Sequence, residues 1–229
     1  MKNHQNLEKK LGVKFKNPRL LNQALVHRSY LNEATDKKLV SNERLEFLGD
    51  AILSFIVSEW LYQNFPDYHE GTLTNLRSNL VKTETLAKIA SKFQVGKYLL
   101  LSRGEKESEG QKNPSLLANT LEAIIGAVFL DQGLQITKKL VKKNFKPLLE
   151  NLIKAGEFKD YKSLLQEKIQ AKTKQTPVYK TIKQVGPDHA RIFTVGVYSQ
   201  GKLLAKAIGK SKQEAEGKTA GQALEKLAS

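Results

Sequence analysis

Two short segments fix most of what this chain can become. They are Asn42-Glu43-Arg44-Leu45-Glu46-Phe47-Leu48-Gly49-Asp50 and Ala118-Asn119-Thr120-Leu121-Glu122-Ala123-Ile124-Ile125-Gly126-Ala127. In each, apolar residues at helical spacing share a few turns with acidic or amide groups. At about 100° per residue, Glu43, Glu46 and Asp50 fall within about 60° of one another. Leu45, Leu48, Ile52, Phe55 and Ile56 cluster on the opposite side. In the second segment Asn119 and Glu122 sit one turn apart, while Leu121, Ile124, Ile125 and Val128 face the other way. Carboxylates gathered beside an apolar run repel one another and resist desolvation, so they call for a reason. A hard divalent cation supplies one.

If the two helices pack side by side, Glu46, Asp50, Asn119 and Glu122 can converge. Such a site offers oxygen ligands only, which suits Mg²⁺ or Mn²⁺ and not zinc. These ions activate a water and stabilise charge building on a phosphodiester. Gly49 and Gly126 lie near the same faces, where small residues let a helix or a substrate backbone come close. The plain alternative is a pair of solvated helix faces, with Glu43 simply paired to Arg44 or a neighbouring Lys. Helical spacing alone does not specify a nuclease.

The rest of the N-terminal region fits a helical frame. From about Leu7 to Ile153 apolar positions recur at helical spacing, with breakers at Asn17-Pro18, Phe65-Pro66-Asp67, Gly96, Gly104, Gly110 and Gly133. Ser102 to Pro114 reads as a polar, mobile surface loop. The pattern changes near Ala155-Gly156-Glu157-Phe158. A helix from Asp160 to about Ala171 follows, with Tyr161, Leu164, Leu165 and Ile169 as its apolar stripe. Three strand-like runs come next, Val178 to Val185, Arg191 to Tyr198 and Lys202 to Ile208, with a turn at Ser199-Gln200-Gly201. A last helix runs from about Lys212 to Leu227, opened by a capping box of Ser211 and Glu214. The expectation is an all-α domain over 1–154, a linker at 155–159 and an α-β-β-β-α module over 160–229.

Charge points to the partner. The 229 residues carry a net charge of +15 and a pI near 9.7, which suggests a polyanion, most simply nucleic acid. Residues 152–229 hold 15 Lys or Arg against 7 Asp or Glu, leaving 23 against 16 for the remainder. The smaller module is therefore the denser cation and the natural electrostatic anchor. With no cysteine, disulfides and thiolate metal sites are excluded, and an intracellular, cytoplasmic location is compatible. The N-terminus has no apolar signal region and no run of about 18 apolar residues occurs, so no membrane partner is expected.

The residues match a known family. Asn42 to Asp50 resembles the signature of the ribonuclease III endonuclease domain. Leu25-Val26-His27-Arg28-Ser29-Tyr30 resembles that family's early His-Arg-Ser segment, and Glu70-Gly71-Thr72-Leu73-Thr74-Asn75-Leu76-Arg77 its Glu-Gly-x-Leu segment. Leu116 to Gly133 resembles its second acidic helix. The C-terminal module resembles a double-stranded RNA-binding domain. The resemblance implies a homodimeric, Mg²⁺-dependent endonuclease that processes rRNA precursors and other structured RNA. It would leave 5′-phosphates, 3′-hydroxyls and short 3′ overhangs, with no small-molecule cofactor. By motif position Glu46, Asn119 and Glu122 are the expected metal ligands, and Asp50 and Glu122 the catalytic pair. Phe47 falls in the dimer contact, and Glu43 and Glu70 line the cleft. The family normally has Asp where this chain has Asn119. An amide oxygen still binds Mg²⁺ but brings no charge, so a catalytically weakened RNA-binding protein is the alternative. His27 and Arg28 read as helix-capping or polar core groups.

In the basic module three places fit the shape of A-form RNA. Gln166 and Gln170, one turn apart, can meet 2′-hydroxyls. The loop Gly186-Pro187-Asp188-His189 can enter the next minor groove through His189. Lys210, Lys212 and Lys218 at the last helix can face phosphates. Where the family has paired lysines this chain has Lys212-Gln213, and a later lysine position is Glu216, so the expected affinity of the module alone is modest. A DNA-binding regulator would need a recognition helix or basic arm, and neither is visible.

Overall fold

The computed structural model describes residues 4–155, 161–187 and 191–228, and the chain divides into two units, Met1–Phe158 and Lys159–Ser229. The expected linker at 155–159 falls, from Gly156 onward, outside the described residues. The first unit runs α1 (Gln5–Leu11), α2 (Pro18–Ala24), α3 (Arg28–Leu31), α4 (Glu43–Asn64), α5 (Glu70–Val81), α6 (Thr83–Lys92), α7 (Arg103–Glu107) and α8 (Pro114–Ala155).

Local chemistry sets the ends of these helices. Gly12 closes α1 in the left-handed region, where the absence of a Cβ removes the steric cost. Pro18 opens α2 at the one place where its missing N–H costs nothing, and the Asn17 side chain caps it. Asp131, on α8, accepts from the main-chain N–H groups of Lys16 and Asn17 at 2.8 and 2.7 Å, which pins the start of the chain to that helix. Gly133, with φ 75° and ψ 179°, interrupts α8. By length and composition α8 could cross a membrane, yet its apolar residues Leu121, Ile124, Ile125 and Val128 are buried in the core of this unit.

The centre of the unit is the crossing of α4 and α8, where two glycines let the backbones touch. A Cβ on Gly49 would lie 1.8 Å from the main-chain carbonyl oxygen of Glu122, and one on Gly126 would lie 2.4 Å from that of Leu45. The buried residues of α4 are Leu45, Gly49, Leu53, Ile56, Val57, Trp60 and Leu61. This face is rotated toward the carboxylates relative to the stripe expected from apolar residues alone. Phe55 is 50 % exposed and Leu48 only half-buried, while Leu53 and Val57 take the core positions. The reason is the glycine contact, which turns the Gly49 face of α4 against α8. Further along, Lys138 of α8 pairs with Glu59 of α4 at 2.5 Å.

The segment from Ser102 to Pro114 is not the open loop that its polarity suggests. It holds α7 and a short 3₁₀ turn, Gly110–Lys112. The Ser102 hydroxyl caps α7 by accepting from the Glu105 N–H, the Asn113 side chain accepts from the Ser115 N–H at the start of α8, and Gly110 is buried.

The second unit runs α9 (Tyr161–Thr173), β1 (Val178–Val185), β2 (Ile192–Ser199), β3 (Lys202–Gly209) and α10 (Lys212–Ala228). The sheet is antiparallel in the order β1-β2-β3. The tight β2–β3 turn uses positive φ at Gln200 and Gly201. Val197 and Ala205 of the sheet pack on Leu165 and Ile169 of α9 and on Ala220 and Ala223 of α10. The capping box forms with a one-residue shift. The Ser211 hydroxyl accepts from the Glu214 N–H, but Glu214 reaches back to the N–H of Lys210 rather than to that of Ser211.

The crossing predicts a reversal of the usual Gly-to-Ala effect. Gly217 on α10 has open space around its missing Cβ, so Gly217→Ala should stabilise by about 0.5–1 kcal/mol. Gly49→Ala should instead destabilise by about 1–3 kcal/mol, because the helices must part. Urea unfolding of the two variants checks this, and a stabilised Gly49→Ala would refute the close crossing.

Candidate functional site

The glycine crossing places the acidic residues of α4 and α8 around one opening. A cavity of about 590 Å³ is lined by Glu43, Glu46 and Asp50 from α4, by Asn119 and Glu122 from α8, and by His27 and Arg28 from the start of α3. All four expected ligands, Glu46, Asp50, Asn119 and Glu122, are on its wall. Glu46, Asn119 and Glu122 are half-buried, whereas Asp50 is exposed. Glu70 is not on this wall.

The electrostatics are those of crowded, unpaired acids. Burial, then Asp50 and Glu46, push the Glu122 carboxyl up to about 7 from its ordinary 4.5. Burial, then Glu43 and Asp50, also raise Glu46. Among the described residues no side chain hydrogen-bonds or ion-pairs with the side chains of Glu46, Asp50, Asn119 and Glu122, and the Glu46 main-chain N–H donates to the Asn42 carbonyl as part of the helix. Nor do any three His, Cys, Asp or Glu side chains there converge closely enough to hold an ion as they stand. The donors, three carboxylates and an amide oxygen, fit a hard divalent ion, whose charge would reverse the pressure that holds Glu122 protonated.

Glu43 has a different role from its neighbours. Its carboxylate accepts from the Ser41 hydroxyl at 2.8 Å and faces Arg28 at 3.8 Å. Its partner is therefore neither Arg44 nor a lysine. Arg28 was readable only as part of a capping segment. The signal for its place is the neighbouring His27, whose Nδ1 accepts from the Ser29 N–H at 3.3 Å and so caps α3. The main chain there is anchored by His27 N–H to the Leu100 carbonyl and by Asn42 N–H to the Val26 carbonyl.

Phe47, next to Glu46, is 81 % exposed. It borders a second cavity of about 660 Å³, lined also by Leu20, Arg44, Leu48 and Leu130.

In the second unit, Gln166 and Gln170 are exposed one turn apart, on the side of α9 away from buried Leu165 and Ile169. They continue the line of Lys162, which pairs with Glu216 of α10 at 2.7 Å. Glu216, standing where a lysine was expected, thus joins the two helices. Lys212 is exposed at the first residue of α10, and Lys218 is exposed but paired with Glu214 at 2.6 Å. The hydrogen bonds from Lys218 and from the Lys210 N–H hold the Glu214 carboxyl below its ordinary range. His189 lies outside the described residues.

Known proteins show the same two parts. Residues 17–149 match the family described as ribonuclease-III-like, and residues 161–227 match the double-stranded RNA binding motif. Ribonuclease 3 of Dehalococcoides mccartyi strain 195 is 46 % identical over 96 % of this chain and 93 % of its own length. Ribonuclease 3 of Nitratiruptor is 41 % identical over 99 % of this chain and 98 % of its own. The crystal structure of the nuclease domain of Campylobacter jejuni ribonuclease III aligns with a TM-score of 0.57 at 43 % identity, covering 63 % of this chain and 97 % of that one. A second structure of that Campylobacter domain describes flexibility in a region involved in dimer formation.

The raised Glu122 value makes a prediction for the metal-free chain. The folded state holds this proton more tightly than the unfolded state does. The stability it confers is complete below pH about 4.5 and is lost as the pH rises to about 7. Glu122→Gln cannot ionise, so relative to the parent it should gain on the order of 1–2 kcal/mol across that window, a figure reduced for solvent screening. Urea titrations in chelator at both ends of the window check it, and a difference that stays flat with pH would contradict the assignment.

Proposed function

This chain belongs to the ribonuclease III family, and on that premise we propose that it is a Mg²⁺-dependent endonuclease that cuts double-stranded RNA as a homodimer. Each subunit cuts one strand, leaving 5′-phosphates, 3′-hydroxyls and short 3′ overhangs. Precursors of rRNA and other structured RNAs are the substrates this reading implies, met in the cytoplasm. The observation that carries it is the gathering of Glu46, Asp50, Asn119 and Glu122 around one cavity at the Gly49–Gly126 crossing.

Glu46, Asn119 and Glu122 would hold the cation, and Asp50 with Glu122 would orient the attacking water. When bound, Mg²⁺, or Mn²⁺ in its place, supplies the charge that activates that water and stabilises the phosphoryl oxygens. Glu122 must give up its proton to act as a ligand, so metal affinity should rise with pH through about 7. The C-terminal module holds the duplex by shape and charge. Gln166 and Gln170 meet 2′-hydroxyls, and Lys210, Lys212 and Lys218 meet phosphates. For the dimer, exposed Phe47 beside an apolar cavity that includes Leu48 and Leu130 is the self-complementary patch a two-fold interface needs.

Asn119 favours a second reading, a binding protein of weakened catalysis, because the site has one negative charge fewer than the family pattern. Incubating the chain with a long duplex RNA and Mg²⁺ or Mn²⁺, followed by end-group analysis, separates the two. Cleavage with 5′-phosphate ends is expected. Glu122→Gln should abolish cleavage by at least about a hundredfold while duplex binding survives, and retained cleavage would sink its assigned role. Asn119→Asp should lower the Mg²⁺ concentration for half-maximal cleavage by roughly tenfold or less, since a charged ligand binds the ion more tightly. A requirement that is unchanged or higher would show that the missing charge is not limiting.

A further inference from the structure

Arg28 stands on the acidic cavity without a role in the reading above. Of the residues lining that cavity, it is the one Lys or Arg. An adjoining cavity of about 630 Å³ is lined by Ser29, Asn32 and Glu105, and it shares His27, Arg28 and Leu116 with the first. The groove therefore continues past the carboxylates, and Arg28 sits at the junction of its two parts.

The chain invests several bonds in placing this residue. Ser29 Oγ accepts from the Ser102 N–H at 3.1 Å and stands 2.8 Å from His27 Nδ1. The Ser29 N–H also points at that nitrogen. Nδ1 is thus the atom that caps this turn. With the turn locked by His27 and Ser29, Arg28 projects 73 % exposed, and its ion-pair partner among the described residues is Glu43 at 3.8 Å, longer than a hydrogen bond. An exposed pair at that distance is worth little, so the guanidinium can exchange this neighbour for a better one at small cost.

An RNA strand laid in the groove carries a phosphate on every nucleotide. A phosphate beyond those neutralised by the cation would meet Glu43 and the other carboxylates unless a fixed cation stood there. A guanidinium binds phosphate oxygens through two parallel N–H donors. We propose that Arg28 is an RNA-backbone contact of the nuclease unit, gripping a phosphate next to the scissile one and releasing Glu43 as it does so. The proposal rests on the duplex-cleaving reading above.

The test is steady-state cleavage of a short RNA duplex by the full chain in Mg²⁺ at several KCl concentrations, with thermal unfolding run in parallel. Arg28→Gln should raise KM about tenfold with a smaller change in kcat. It should also make the dependence of log(kcat/KM) on log salt shallower by about 0.7–0.9, one phosphate contact. Arg28→Lys should recover the salt slope but only part of KM, since it keeps the charge and loses the fork. Glu43→Gln should leave the slope as steep as in the parent or steeper, because Arg28 is then free. If Arg28→Gln leaves both KM and the slope at parent values, the contact does not exist. If Arg28→Gln and Glu43→Gln give the same loss with an unaltered slope, Arg28 only holds Glu43 in place and the proposal is overturned. A parent chain that does not cleave the duplex would instead overturn the function on which this rests.

Discussion

The first unit depends on one backbone contact. Gly49 and Gly126 let α4 and α8 cross with less room between them than a single methyl group needs. Every acidic group of the site is within about a turn of that crossing on one helix or the other. The approach sets the spacing of the carboxylates, rotates the buried stripe of α4 and turns Phe47 outward. Helix pairs normally stand about 8–10 Å apart, according to the side chains between them. Here no side chain separates them at the crossing, so the main chains themselves hold the carboxylate-bearing positions in register.

A rigid crossing also makes it possible to sustain an unfavourable charge arrangement. Glu46, Asp50 and Glu122 face one cavity, and burial and repulsion push protons onto Glu122. Among the described residues no side chain pairs with these three, whereas Glu43 nearby has both Ser41 and Arg28. The difference separates carboxylates left without a partner side chain from one held by its own chain. Asn119 moderates the cost, since it contributes an oxygen without adding a fourth negative charge to the cluster. The C-terminal module treats its charges the opposite way, with Glu214 and Glu216 engaged by Lys218 and Lys162.

Much of this was legible in the residues, and the failures have physical causes. Helical spacing placed Glu46, Asp50, Asn119 and Glu122 on two faces, and those faces do meet. Apolar periodicity misjudged Phe55 and Leu48, because it weighs hydrophobic side chains and gives no weight to a glycine that draws a helix face inward. Composition misread Ser102 to Pro114, because caps such as Ser102 and Asn113 build short helices out of polar residues. The β-β-β order of the C-terminal module emerged within a residue or so, since alternation and the Gln200-Gly201 turn are local signals. The partners of Glu43 and Glu216 were not legible, since both pairs join separate helices and side-chain pairing across elements leaves no periodic trace.

The clamp at Asp131 has a consequence for how the chain assembles. Its acceptor oxygens lie 115 and 114 residues beyond their donors, Lys16 and Asn17. During synthesis this segment leaves the ribosome well before α8, so Lys16 and Asn17 then lack the Asp131 carboxylate that holds them. Forming this seam brings a loop-closure cost that only long-range contacts can repay. Lys16 and Asn17 therefore reach their place only after α8, made over a hundred residues later, is in hand. Through Asp131 they close onto the same helix that carries Asn119 and Glu122.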